Sequence, residues 1–190
     1  MQTAWLMVLL GYLIGSIPTA YLIGRVMGRG DIRNLGDGNP GSKNVFHVLG
    51  PKAGVTVFLL DAAKAGTAVL LAQTAHLSSG AIMFTGVAVI LGHSFPLLLG
   101  FRGGEGMACA IGILAVLITV PMLILGPLTI LVLILKRNVD IALAVMFVPV
   151  APLCLLFKEP SSLALYSITL PCLVAAIHFG RRYGRRADVA

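Results

Sequence analysis

The sequence predicts an all-α polytopic membrane protein with seven transmembrane helices, its N-terminus outside and its C-terminus cytoplasmic. Three observations carry this. Of the 190 residues, 58% are hydrophobic and only 11% charged, so the long apolar runs have no polar face to show to water. Those runs recur at membrane length along the whole chain. The cations collect in alternate connections, as the positive-inside rule requires.

The first span covers residues 4–24; it lacks a cationic leader and a small-residue cleavage site, so it is read as a span and not as a signal peptide. Spans at 53–72 and 81–100 follow, and spans at 139–157 and 161–179 end the series. Between them lies a 29-residue apolar tract from Met107 to Leu135. One helix of that length would rise roughly 43 Å, against a hydrocarbon core of about 30 Å. Pro121, near its middle, would also remove a helical hydrogen bond. Two shorter spans hinged around Thr119 to Pro121 are therefore predicted. With seven crossings, Arg25, Arg29, Arg33, Lys43, Lys52, Arg102, Lys136, Arg137 and the four arginines from Arg181 to Arg186 all face inside, and Lys158 alone faces out. Merging the tract into one span would leave the two sides nearly equal. Residues 1–190 are read as a single integral-membrane domain with its chemistry on the cytoplasmic face, because the outer connections are short and poor in functional groups.

Two glycine-rich connections on that face can hold an anion. In Gly36-Asp37-Gly38-Asn39-Pro40-Gly41-Ser42-Lys43-Asn44 the glycines permit a backbone that turns several N–H groups toward one point, a nest for phosphate oxygens; the same residues also make ordinary tight turns. In Arg102-Gly103-Gly104-Glu105-Gly106 a cation and flexible backbone precede a helix start with unpaired N–H groups. There, Glu105 would alternatively complement the helix dipole, and the glycines would let helices pack closely. His93 is either a ligand contact or a satisfied interfacial histidine, while His76 and His178 read as interfacial. Asp61 and Lys64 lie within a span at i, i+3 on one face, a functional pair or a buried clamp. Cys109, Cys154 and Cys172 fall in apolar runs and read as packing residues. The tail Arg181-Arg182-Tyr183-Gly184-Arg185-Arg186 either binds anionic headgroups or anchors topology. No Ser-His-Asp order, H-E-x-x-H or C-x-x-C occurs, so neither a triad nor zinc is indicated.

The order of these features resembles the bacterial acyl-phosphate:glycerol-3-phosphate acyltransferases of the PlsY family, seven-span enzymes that make lysophosphatidic acid. The resemblance covers most of the chain. It runs through Gly15-Ser16-Ile17-Pro18, the stretch Asp31 to Gly41 with Asn44-Val45 and Leu49-Gly50, and Asp61 with Lys64. It continues through Gly92-His93, Phe95-Pro96, Gly100-Phe101-Arg102-Gly103-Gly104 and Gly106. Against the family's first-loop motif, approximately G-S-G-N-x-G-A-T-N-V-x-R, the serine is Asp37, the threonine Lys43 and the arginine His47. Against F-K-G-G-K-G-V-A-T, the second lysine is Glu105, and a later family serine is Asp140. The family's histidine and asparagine after the last span find no convincing match in Gly180 to Arg186.

The resemblance implies transfer of a fatty acyl group from acyl phosphate to glycerol-3-phosphate at a bacterial plasma membrane, without metal, cofactor, acyl-enzyme, nucleic acid or protein partner. It puts the donor phosphate in the nest of Gly36, Gly38, Asn39, Gly41, Lys43 and Asn44. The acceptor falls to His93, Arg102, Gly103, Gly104, Glu105, Gly106 and Asp140, and the proton to Asp37, His47 or a substrate phosphate. The acidic replacements Asp37, Glu105 and Asp140 raise an alternative, a divergent paralogue with a changed acceptor or no catalysis. A transporter or scaffold is the third reading; the sequence shows no internal repeat to favour it.

Overall fold

The computed structural model describes residues 1–187, with side chains through Arg182. All regular structure among the described residues is helical, and the chain falls into two compact units, Met1–Ile113 with the stretch from Val174 onward, and Leu114–Leu173.

In the first unit, α1 (Gln2–Gly15) gives way to α2 (Thr19–Val26) at Pro18. Proline has no N–H to continue the helix, and the break leaves the Ile17 carbonyl open to other donors. After a connection containing a 3₁₀ turn at Ile32–Asn34 come α3 (Ser42–Leu49) and α4 (Pro51–Thr74), which starts on proline, where the missing N–H costs nothing. Ser78 caps α5 (Ser79–Ser94), and α6 (Met107–Leu117) begins after the second glycine-rich turn. Small residues let these helices approach closely. A Cβ on Gly92 would strike the Tyr12 carbonyl, one on Gly15 the Val89 backbone, and one on Gly112 the Ala62 carbonyl. Close backbone approach through glycine is how helices gain contact in a bilayer, where lipid is as apolar as leucine.

The second unit holds α7 (Thr119–Lys136), α8 (Val139–Phe147) and α9 (Val150–Leu156), with parts of α6 and of α10 (Ser161–Ala187). The long apolar tract does break. Ile118 leaves the helical region at φ −130°, ψ 60°, just before the expected hinge. Pro121 then sits in the first turn of α7, where its missing N–H is not needed. Asn138 caps α8 by accepting from Asp140 N and Ile141 N at 2.9 and 3.1 Å.

Among the described residues, six helical stretches are long and apolar enough to cross a membrane: Gln2–Val26, Pro51–Thr74, Ser79–Leu99, Thr119–Lys136, Val139–Leu156 and Ser161–Arg182. The expected seventh, α6, is apolar but has only 11 residues, a rise of about 16 Å.

Candidate active site

The first connection folds around Asn44. Its side chain is buried, accepting from Asp37 N at 3.1 Å and donating to the Leu35 carbonyl at 2.9 Å. Gly36 is required beside it, because φ is +62° and a Cβ there would run into the Asn44 amide and into Val48. Asp37 closes a local turn by accepting from Asn39 N at 2.9 Å. The entry to this loop is held by Arg33, which binds both oxygens of Asp31 and donates to the Leu99 carbonyl at 2.8 Å. Hydrogen bonds from Arg33 hold the Asp31 carboxyl below the ordinary carboxylate range, and Asp31 in turn raises Arg33.

The second glycine-rich turn is clamped through both its N–H groups and its carbonyls. Gly103 N donates to Ser94 O at 3.0 Å and Gly104 N to His93 O at 3.1 Å. Arg181, reaching in from α10, donates through Nη1 to Gly103 O and Gly104 O, both at 2.7 Å, and through Nη2 to Ser94 O. One turn earlier on α10, His178 Nδ1 lies 2.8 Å from Glu105 Oε1. The Tyr12 hydroxyl donates to Phe95 O at 2.7 Å. A Cβ on Gly104 would meet the His93 imidazole on one side and Pro40 O at 3.0 Å on the other, so the two glycine-rich connections touch at this residue.

Beneath that contact lies a buried polar cluster. Asp61 Oδ1 accepts from Thr19 Oγ1 at 2.6 Å and from Lys64 Nζ at 2.7 Å, with His93 Nδ1 at 3.4 Å. Lys64 also reaches Ile17 O at 2.8 Å and His93 Nδ1 at 3.1 Å. Asp61, His93 and Cys109 bring one ligand atom each within 4.8 Å of one another. Lys64 nevertheless bridges two of the three, so a metal ion would have to displace an ammonium from its place between them. A small cleft that shares His93 with this cluster is lined by Ser16 to Tyr21, Pro40, Pro96, Leu99, Gly103 and Gly104.

A family model described as glycerol-3-phosphate acyltransferase matches residues 5–185. The chain belongs to the glycerol-3-phosphate acyltransferase family. It is accordingly an acyltransferase of phospholipid synthesis and an integral membrane protein. It is 46% identical to glycerol-3-phosphate acyltransferase 4 of Dehalococcoides mccartyi over 93% of this chain and 95% of that one. The Shouchella clausii glycerol-3-phosphate acyltransferase is 38% identical over 80% and 75% of the two chains. Among solved structures, the glycerol 3-phosphate form of PlsY (YgiH), an integral membrane glycerol 3-phosphate acyltransferase, superposes with a TM-score of 0.83 at 31% identity. That match covers 98% of this chain and 92% of the other. The lysophosphatidic acid form gives 0.81 at 29% identity.

In this acyltransferase, the residues singled out from sequence divide into three groups. Gly36, Gly38, Asn39 and Gly41 do form one loop, but Asn44 is buried in the first turn of α3 and committed to building that loop. Lys43 and His47 lie one turn apart on the exposed side of α3, with His47 edge-on to Phe46, and Asp37 is exposed at the loop tip. Arg102 is exposed, whereas the N–H groups of Gly103 and Gly104, expected to face an anion, are taken by carbonyls; these two glycines shape the turn. Gly106, at φ +97°, delivers the chain into α6. His93 is buried against the turn. Asp140 lies in the second unit, in the first turn of α8.

Two residues with larger roles than the sequence suggested are His178 and Arg181. The first read as interfacial and the second as a tail cation; Arg181 is instead tied to two carbonyls of the turn and to that of Ser94 at the end of α5. Their i, i+3 spacing at the C-terminal end of α10, one face presenting a histidine and an arginine, was the available signal. The side chains of Tyr183, Arg185 and Arg186, in the tail expected either to bind headgroups or to anchor topology, lie outside the described residues. Cys109 and Cys154 are buried, in keeping with packing roles, while Cys172 is exposed.

Proposed function

We propose that the chain transfers a fatty acyl group from acyl phosphate to a hydroxyl of glycerol-3-phosphate, giving lysophosphatidic acid at the cytoplasmic face of a bacterial plasma membrane. The observation that carries this is the family match over residues 5–185, together with a turn architecture in which two glycine-rich connections meet at one residue. The acceptor oxygen attacks the acyl carbonyl carbon, an ester C–O bond forms, and the acyl bond to the phosphate oxygen breaks. Inorganic phosphate leaves with the bonding electron pair, and the hydroxyl proton passes to Asp37, His47 or a substrate phosphate.

Lys43 and Arg102 supply positive charge for the two phosphates, and Asp140 is included on the family motif alone. Glu105 would repel a phosphate if it stood as an isolated anion, at about 4 kcal/mol for a separation of roughly 4 Å at an effective dielectric of about 20. His178 beside it meets that charge. The reaction uses no metal, cofactor or protein partner. The single domain 1–190 crosses the bilayer seven times in this reading, with α6 as a short span and the N-terminus outside.

The test is phosphate release by purified protein in detergent given palmitoyl phosphate, with and without glycerol-3-phosphate. Acceptor-dependent release with lysophosphatidic acid formed is expected. Release that ignores the acceptor, or none, would return the divergent reading, which the named relatives do not favour.

A further inference from the structure

Lys64 is a buried cation tied to several elements of the first unit. Its side chain is only 7% exposed and Asp61's only 1%. The Lys64 ammonium lies against three groups: Asp61 Oδ1 at 2.7 Å, Ile17 O at 2.8 Å and His93 Nδ1 at 3.1 Å. Each belongs to a different element. Asp61 is on its own helix α4, Ile17 is at the break between α1 and α2, and His93 is at the end of α5. Thr19, just beyond that break, adds its hydroxyl to Asp61 Oδ1 at 2.6 Å.

The consequence reaches the turn through His93. Lys64 Nζ lies 3.1 Å from the Nδ1 edge of the ring, and the Nε2 edge backs directly onto Gly104. The His93 carbonyl holds the Gly104 N–H. One residue thus grips Gly104 by both its backbone and its ring, and Lys64 sets the angle of that ring. A buried ion pair contributes little net stability, since desolvation offsets much of the attraction. An ammonium set against three elements, however, defines a geometry.

We propose that Lys64, held by Asp61 and Thr19, is a positioning residue for the acyl transfer: it orients His93 and through it the Gly103–Gly104 turn where the two glycine-rich connections meet. It contacts no substrate, its side chain being only 7% exposed. The inference rests on the acyltransferase reading above, and wild-type turnover of palmitoyl phosphate and glycerol-3-phosphate is measured first, so that a failure of that reading is seen separately.

The experiment compares full-length Lys64→Arg with wild type in detergent, measuring melting temperature and both kinetic constants for glycerol-3-phosphate. Arginine keeps the charge, but its planar fork cannot aim at three groups arranged around a tetrahedral ammonium. The folded variant should lose at least tenfold in kcat while KM changes less than about threefold. A second pair probes the link to the turn. Gly104→Ala should be nearly inactive, and His93→Asn, which keeps a polar group beside Lys64 but removes the far side of the ring, should partly rescue it in the double variant. Wild-type kcat in folded Lys64→Arg overturns the proposal, as does a change confined to KM or no rescue in the double variant. If Lys64→Arg does not fold, the charge-neutral Asp61→Asn/Lys64→Met variant takes its place. A folded double variant with wild-type kcat, or failure of both to fold, makes the cluster a stability element and overturns the proposal.

Discussion

Replacing Arg181 by alanine tests whether the last helix fixes the glycine-rich turn. The guanidinium donates to Gly103 O, Gly104 O and Ser94 O. Ser94 O keeps a donor without it, because Gly103 N also binds there at 3.0 Å. The loss therefore falls on two carbonyls of buried glycines. Hydrogen bonds from a charged donor contribute about 1.5–3 kcal/mol each; Arg181 is only partly buried, so water replaces some of this, and the net cost is about 2–4 kcal/mol. At roughly 2–4 °C per kcal/mol for a chain of this size, the melting temperature should fall by roughly 5–15 °C. A turn displaced by about 1 Å should lower kcat on the order of 100-fold. Arg181→Lys reaches fewer of the carbonyls and should lose about half as much stability. Thermal unfolding in detergent and steady-state acyl transfer measure both quantities. An Arg181→Ala variant with wild-type melting temperature and wild-type kcat would refute the idea that this side chain holds the turn.

Three further outcomes are expected. Gly104→Ala places a Cβ against His93 and Pro40 and should cost about 1–3 kcal/mol by overpacking; an unchanged melting temperature would show that the two connections do not meet there. Asn44→Ala removes an acceptor from Asp37 N and a donor from Leu35 O, about 1–3 kcal/mol, and should open residues 35–43 to limited proteolysis well before the rest of the chain. Asp31 has a lowered folded pKa, so its contribution is complete above its unfolded value and is lost as pH falls through the folded one. Asp31→Asn should thus be less stable than wild type at pH 7, with the difference closing below about pH 4; a gap that persists or widens in acid reverses the sign of the argument.

Six long apolar helices were legible in the sequence because hydropathy acts locally. A run of apolar residues must avoid water wherever its neighbours are, and the break at Ile118 lies beside the hinge that Pro121 and the tract's length indicated. The two glycine-rich connections were legible as turns for the same reason, since positive φ at Gly36 and Gly106 is a property of single residues. Which groups those turns present was not. The N–H groups of Gly103 and Gly104 looked open to a ligand in one dimension, yet the fold returns the end of α5 to them and fills both. Asp61 and Lys64 announced themselves as a pair by their i, i+3 spacing, but Ile17 and His93, which complete the ammonium's shell, are 47 and 29 residues away from Lys64. His178 meets Glu105 across 73 residues and Arg181 meets Ser94 across 87. Backbone preference and transfer to the bilayer are set residue by residue and survive in the sequence. Hydrogen-bond partnership depends on which helix ends converge, and only the tertiary structure decides that.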